Sequence, residues 1–208
     1  MAKLAIAAAL LLVPATSAAT APPFTASVGR VGAADLRWSY RTGCPVPPSQ
    51  LRSIRMRHWG FDGRPHAGVL VVNASVSAQV VAMFRRLYAA RFPIRRMLGV
   101  ERYRGDDDRS MAADNTSAFN CRRVYPGGPW SEHAYGKAID VNPVENPYVH
   151  GGRVEPAAGR EYLDRTRRRP GMAIVSGVLV RAFDEGGWYW GGRWRSSKDY
   201  QHFSTSGR

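Results

Sequence analysis

Two short polar clusters, about sixty residues apart, constrain this chain more than any other feature: Ser131-Glu132-His133-Ala134-Tyr135-Gly136-Lys137-Ala138-Ile139-Asp140 and Lys198-Asp199-Tyr200-Gln201-His202-Phe203. Two imidazoles and a carboxylate are the ligand set of a catalytic zinc ion whose fourth position stays open to water. A further carboxylate beside that water can act as its general base. A fold that uses these residues together must therefore lay the two clusters side by side. Gly136 lets the chain turn after His133, and Ala138 to Val141 reads as a strand with Asp140 at a polar position in an apolar setting. An isolated carboxylate is costly there and needs a cation or a metal. Taken alone, His133 and Asp140 fit two readings equally: half of a metal site, or a buried hydrogen-bonded pair without metal. His202, on a short strand Tyr200–Phe203, completes a ligand set of His133, Asp140 and His202. Asp199 then stands as the base for attack by zinc-bound water; its other reading is a salt bridge to one of the many arginines.

The rest of the chain reads as an α+β domain. Ile54, Met56 and His58 alternate with Arg55, Arg57 and Trp59, the period of a strand, and Val69 to Val72 is a second apolar strand. Gly60-Phe61-Asp62-Gly63 begins a turn that makes the two a hairpin. Val76, Val80, Met83, Phe84, Leu87 and Tyr88 share one helical face, with Asn73 or Ser75 as cap and Pro93 beyond the end. A second helix is marked by Val175, Val178, Leu179, Ala182 and Phe183, with Gly186-Gly187 as its stop. The acidic run Asp106-Asp107-Asp108 lacks the alternating ligands and closing glutamate of a calcium loop and reads as a solvated acidic loop. His66 reads as a surface-loop residue. Trp188, Trp190 and Trp194, interleaved with glycines, fit either the wall of a peptide-binding cleft, with Trp190 the foremost candidate, or plain core packing.

Residues 1–18 read as a signal peptide: Lys3, an apolar run from Leu4 to Val13, and Thr16-Ser17-Ala18 as cleavage site. That run is too short to span a bilayer, and no integral membrane span is expected in the mature chain. Residues 19–50, rich in Ala, Pro, Gly and Ser, read as an extended arm, and 51–208 as the catalytic domain. The destination is secreted or cell-wall associated. Cys44 and Cys121 in an exported chain favour one disulfide, which would staple the arm to the segment carrying Arg122. The formal net charge is +14, almost all of it from arginine. For an exported protein this points to an anionic cell-wall polymer rather than nucleic acid, unless it is a compositional bias without a partner.

Ser131-x-His133-x-x-Gly136-x-Ala138-x-Asp140 followed by Asp199-x-x-His202 resembles the VanY-like D-alanyl-D-alanine carboxypeptidase and L-alanyl-D-glutamate endopeptidase family of zinc peptidases. Supporting segments are Gly60 to Gly63, Asn115 to Arg122, and Gly187 to Gly192. The resemblance implies the Hedgehog/DD-peptidase fold, a small antiparallel sheet with flanking helices, and hydrolysis of peptidoglycan stem peptides. It implies Zn2+ at His133, Asp140 and His202, with Asp199 as base where many relatives carry glutamate. It also implies that Arg122 holds substrate and supports the oxyanion, as a guanidinium can do bidentately. Ser117, in the same motif, is a weaker substrate contact. Ser131 orients the turn bearing His133. The rival from another class is a catalytically inactive, zinc-stabilised wall-binding module; a structural site needs no spare base such as Asp199.

Overall fold

The computed structural model describes residues 21–207, so residues 1–18, which the sequence reads as a signal peptide, lie outside the described residues. Three strands open the fold: β1 (Ala26–Arg30), β2 (Leu51–Trp59) and β3 (Pro65–Asn73), hydrogen-bonded in that order and antiparallel. The alternation in β2 is physical: Ile54, Met56 and His58 are buried, as are Gly68, Leu70 and Val72 on β3. The β2–β3 turn closes through Gly60 N–H to Arg64 O at 2.8 Å. β1 comes from the proline-rich arm, part of which thus serves as an edge strand. His66 sits on β3 rather than in the turn, exposed, its Nε2 3.0 Å from Asp62.

Helix α1 (Ser77–Ala89) lays Val80, Met83, Phe84, Leu87 and Tyr88 against this sheet. Asn73 accepts from Ser75 N–H ahead of it. β4 (Arg96–Met97) and β5 (Asn115–Thr116) form a short parallel pair, with helix α2 (Asp107–Ala112) between them in sequence. Asp106 caps α2 by accepting from Arg109 N–H, so the acidic run is a helix start rather than a loop. The remaining strands are β6 (Ala138–Asp140), β7 (Tyr148–His150), β8 (Arg153–Glu155), β9 (Tyr189–Trp190), β10 (Lys198–Asp199) and β11 (His202–Ser204). They form two small antiparallel sheets, ordered β6-β11-β9 and β10-β7-β8.

Helix α3 (Val178–Asp184) is shorter than its apolar pattern suggests. Val175 is 67% exposed and precedes it, because Gly177 stands at the helix start. The main core joins α1, α3, the β1-β2-β3 sheet and the β6-β11-β9 sheet, with Phe183 stacked on Phe203 at 4.2 Å and edge-on to Phe84. A second, smaller core gathers Leu36, Val46, Leu51 and Phe119 around the Cys44–Cys121 disulfide. That bridge ties the arm to the segment ending at Arg122. Among the described residues no helix is long and apolar enough to cross a membrane.

Candidate metal centre and cleft

Strand register assembles the centre. On β6 and β11, Asp140 lies directly opposite His202 and Ile139 opposite Phe203. Since side chains alternate across a strand, Ile139 and Phe203 enter the core while Asp140 and His202 emerge together on the other face. Asp140 is also held from its other side, where it exchanges backbone hydrogen bonds with Ser117 at 3.0 and 2.9 Å. His133 arrives from the 3-10 turn Glu132–Tyr135, whose N-cap Ser131 accepts from His133 N–H. Gly136 ends that turn at φ +66°, and a Cβ there would stand 2.6 Å from Asn73 N, so both conformation and space require glycine.

The three side chains are buried, and one donor atom from each lies within 4.8 Å of the others. His133 Nδ1 is 2.6 Å from Ala118 O; a carbonyl only accepts, so Nδ1 carries the proton and Nε2 presents its lone pair. That lone pair faces Asp140 Oδ2 at 3.0 Å and His202 Nδ1 at 3.3 Å, while His202 Nδ1 lies 3.1 Å from Asp140 Oδ1. One lone pair, one carboxylate and a second imidazole nitrogen turned toward the same point suit a cation between them, so the residues fit a divalent metal with two nitrogens and one carboxylate. Burial raises the Asp140 pKa, but where the imidazoles are protonated in place of a metal, the charges and hydrogen bonds of His133 and His202 outweigh it and hold the carboxyl well below its usual range.

The centre opens on a cleft of about 890 Å³ that also contains Arg122 and Asp199. Asp199 Oδ1 is buried there without a hydrogen-bond partner. Burial pushes the Asp199 carboxyl up to about 7, with Asp140 adding to the rise and His202, His133 and Arg122 opposing it. A Cβ at Gly191 would stand 2.7 Å from Asp199 O, which explains one glycine of the tryptophan-rich stretch. The Arg122 guanidinium is 2.7 Å from Asp107 Oδ2. Burial works against its charge, yet Asp107, Asp140 and Asp199 hold its pKa above the ordinary value.

Two sequence candidates fall elsewhere. Trp190 is buried in the core, stacked on Phe203, and donates to Tyr200 O at 2.8 Å. Its neighbour Gly192 is the residue that leaves room for the indole. Trp194 takes the cleft position instead, 5.5 Å from the His202 ring. Ser117 does not line the cleft; it serves through its backbone, by fixing Asp140. Conversely, Asp107 had been read as solvated, and only its approach to Arg122 gives it a role. The Ala118 carbonyl left no signal in the sequence, because any residue offers one.

A buried His/Asp/His group at the floor of a cleft, with a carboxylate oxygen left bare beside it, fits the site of a metal-dependent hydrolase. The chain from 126 to 205 matches the family model described as D-alanyl-D-alanine carboxypeptidase. The resemblance read from the motifs therefore holds over that stretch, which carries all three metal-site residues and Asp199 and supports a cell-wall metallopeptidase. Arg122 and Ser117 lie upstream of it. Neither a curated protein nor a solved structure matches the chain.

Proposed function

We propose that this chain is an exported, zinc-dependent peptidase that hydrolyses peptide bonds in peptidoglycan stem peptides. It acts as a D-alanyl-D-alanine carboxypeptidase or an L-alanyl-D-glutamate endopeptidase. The observation that carries the reading is the convergence of His133, Asp140 and His202 at the floor of the cleft that holds Asp199. Zinc bound there supplies Lewis acidity, lowering the pKa of water and polarising the scissile carbonyl. Asp199 takes the proton from the attacking water and returns it to the leaving amine; a carboxyl pushed up to about 7 is matched to both directions of transfer. Arg122, kept charged by its carboxylate neighbours, stabilises negative charge on the substrate, either a terminal carboxylate or the developing oxyanion. His133 is held in one tautomer by Ala118 O, so its ligating nitrogen needs no rearrangement when metal enters. Secretion to the wall is supported by the composition of residues 1–18, and contact with an anionic polymer by the net charge of +14.

The test is mass spectrometry of defined muropeptides after incubation with zinc-loaded mature protein. Release of terminal D-alanine establishes the carboxypeptidase, and cleavage between L-alanine and D-glutamate the endopeptidase. Intact substrate with one zinc per chain rejects hydrolysis in favour of a wall-binding module.

A further inference from the structure

The charge of the cleft runs against the charge of the protein. Six of the chain's sixteen carboxylates line it, but only two of its thirty lysines and arginines do. With every carboxylate ionised, a divalent ion at the metal site and both arginines still leave it two charges negative. Four of the six are committed: Asp140 to the metal site, Asp199 beside it, Asp107 to Arg122 and Glu155 to Arg153. Asp108 lines the cleft from α2 with no ion-pair partner among the described residues.

An independent observation lies on the same wall. Gln201 is 2% exposed and lines the cleft; its Nε2 donates to Met111 Sδ on α2 at 3.3 Å. Its Oε1 is buried and has no hydrogen-bond partner. A buried amide oxygen left bare is costly, so on a residue that lines the cleft it calls for a donor. Helix α2 also packs on β8, which brings Glu155 alongside; the partner of Glu155, Arg153, is 72% exposed and free to swing into solvent.

We propose that the wall shared by α2, β8 and Gln201 seats an ammonium group, so that the cleft selects peptides containing a diamino acid with its side-chain amine free. Gln201 Oε1 accepts one N–H, and the Asp108 and Glu155 carboxylates face the charge. Acetylating the amine removes the charge and two donors while leaving the peptide bonds unchanged. This inference rests on the peptidase reading for its substrate class, but its test does not depend on turnover.

The experiment compares a lysine-containing stem peptide with its Nε-acetyl form on the zinc-loaded protein, by kcat/KM and by calorimetric Kd. The free amine is expected to be favoured about tenfold or more, chiefly in KM and Kd, with the preference shrinking at high salt. Asp108→Asn, a change at an exposed position, is expected to reduce that ratio by a factor of about three. Equal kcat/KM and Kd for the two peptides overturn the proposal, as does an unchanged ratio in both Asp108→Asn and Gln201→Met. Amine-dependent binding without cleavage would sink hydrolysis but sustain the ammonium seat.

Discussion

Two buried polar clusters flank strand β6, and they use similar residues to opposite ends. At its exit, Asp140, His133 and His202 each turn one polar side-chain atom toward one point. Just beyond it, the segment Asn142–Asn146 meets Asp114, Arg95 and Arg165, and there most polar groups tie loops together, although Glu145 Oε2 and Arg165 Nε are left without a partner. Asn146 bonds Val141 O, Gly171 O and Ala173 N–H, and Arg165 bonds Glu145 O, Asn146 Oδ1 and Ala173 O. Asn142 accepts from Arg95 N–H and donates to Pro93 O and Gly171 O. The carboxylates diverge accordingly. Asp140 is pulled below its usual range, whereas Glu145, 1% exposed, is pushed up to about 8 by burial and then by the neighbouring Asp114. A buried acid thus serves as a ligand where cations converge on it and as a neutral fastener where another acid does. Neither burial nor a bare acceptor marks a site by itself, since Glu145 Oε2 is both; the meeting of two imidazoles and a carboxylate at one point does.

The largest expected effect removes a ligand. His202→Ala loses stoichiometric zinc, read by elemental analysis, and activity falls to background; full zinc content in that variant would take His202 out of the centre. Next, Asp199→Asn keeps the metal and loses about 10²–10⁴ of kcat, the usual share of a general base. Metal loss at unchanged activity per bound zinc would instead make Asp199 a ligand.

Glu145 tests the other side of the comparison. In the fold it keeps its proton up to about pH 8, while the unfolded chain releases it near the ordinary value of 4.5. Between those values the unfolded state binds fewer protons, so this group lowers stability as pH rises. Glu145→Gln is neutral throughout and is expected to gain on the order of 2–4 kcal/mol over the parent between pH 5 and pH 8, by denaturant unfolding. A gain independent of pH would mean an ionised Glu145 held by Arg95. Smallest is Asp107→Asn, which frees Arg122 from its ion pair; KM is expected to rise about tenfold with kcat little changed. Rescue by Asp107→Glu would separate charge pairing from simple loss of helix structure.

Much of this was legible in the chain. The hairpin and α1 follow from apolar periods of two and 3.6 residues, which depend only on how backbone geometry sorts neighbouring side chains. The spacing of the polar clusters pointed to the three side chains that the fold gathers at one point and to Asp199 in the same cleft, since few residue types bind a metal and their order along a strand fixes which face they share. Sequence periodicity overstated α3, because Val175 fits the helical pattern but Gly177 sets the start beyond it. It also could not choose among the tryptophans. Trp190 and Trp194 have the same chemistry, and only the pairing of β9 with β11 sends one to the core and leaves the other at the cleft.

By itself, then, the sequence determined the β2–β3 hairpin, helix α1 and the candidate donor set with its chemical class, for these rest on local spacing and on the identities of the atoms. The tertiary structure alone decided the meeting of Asp107 with Arg122, the proton on Glu145, the bare oxygen of Gln201 and the negative cleft in a basic protein. Each depends on which distant groups the fold brings within a few ångströms, where burial strips away water and a neighbour's charge sets the outcome.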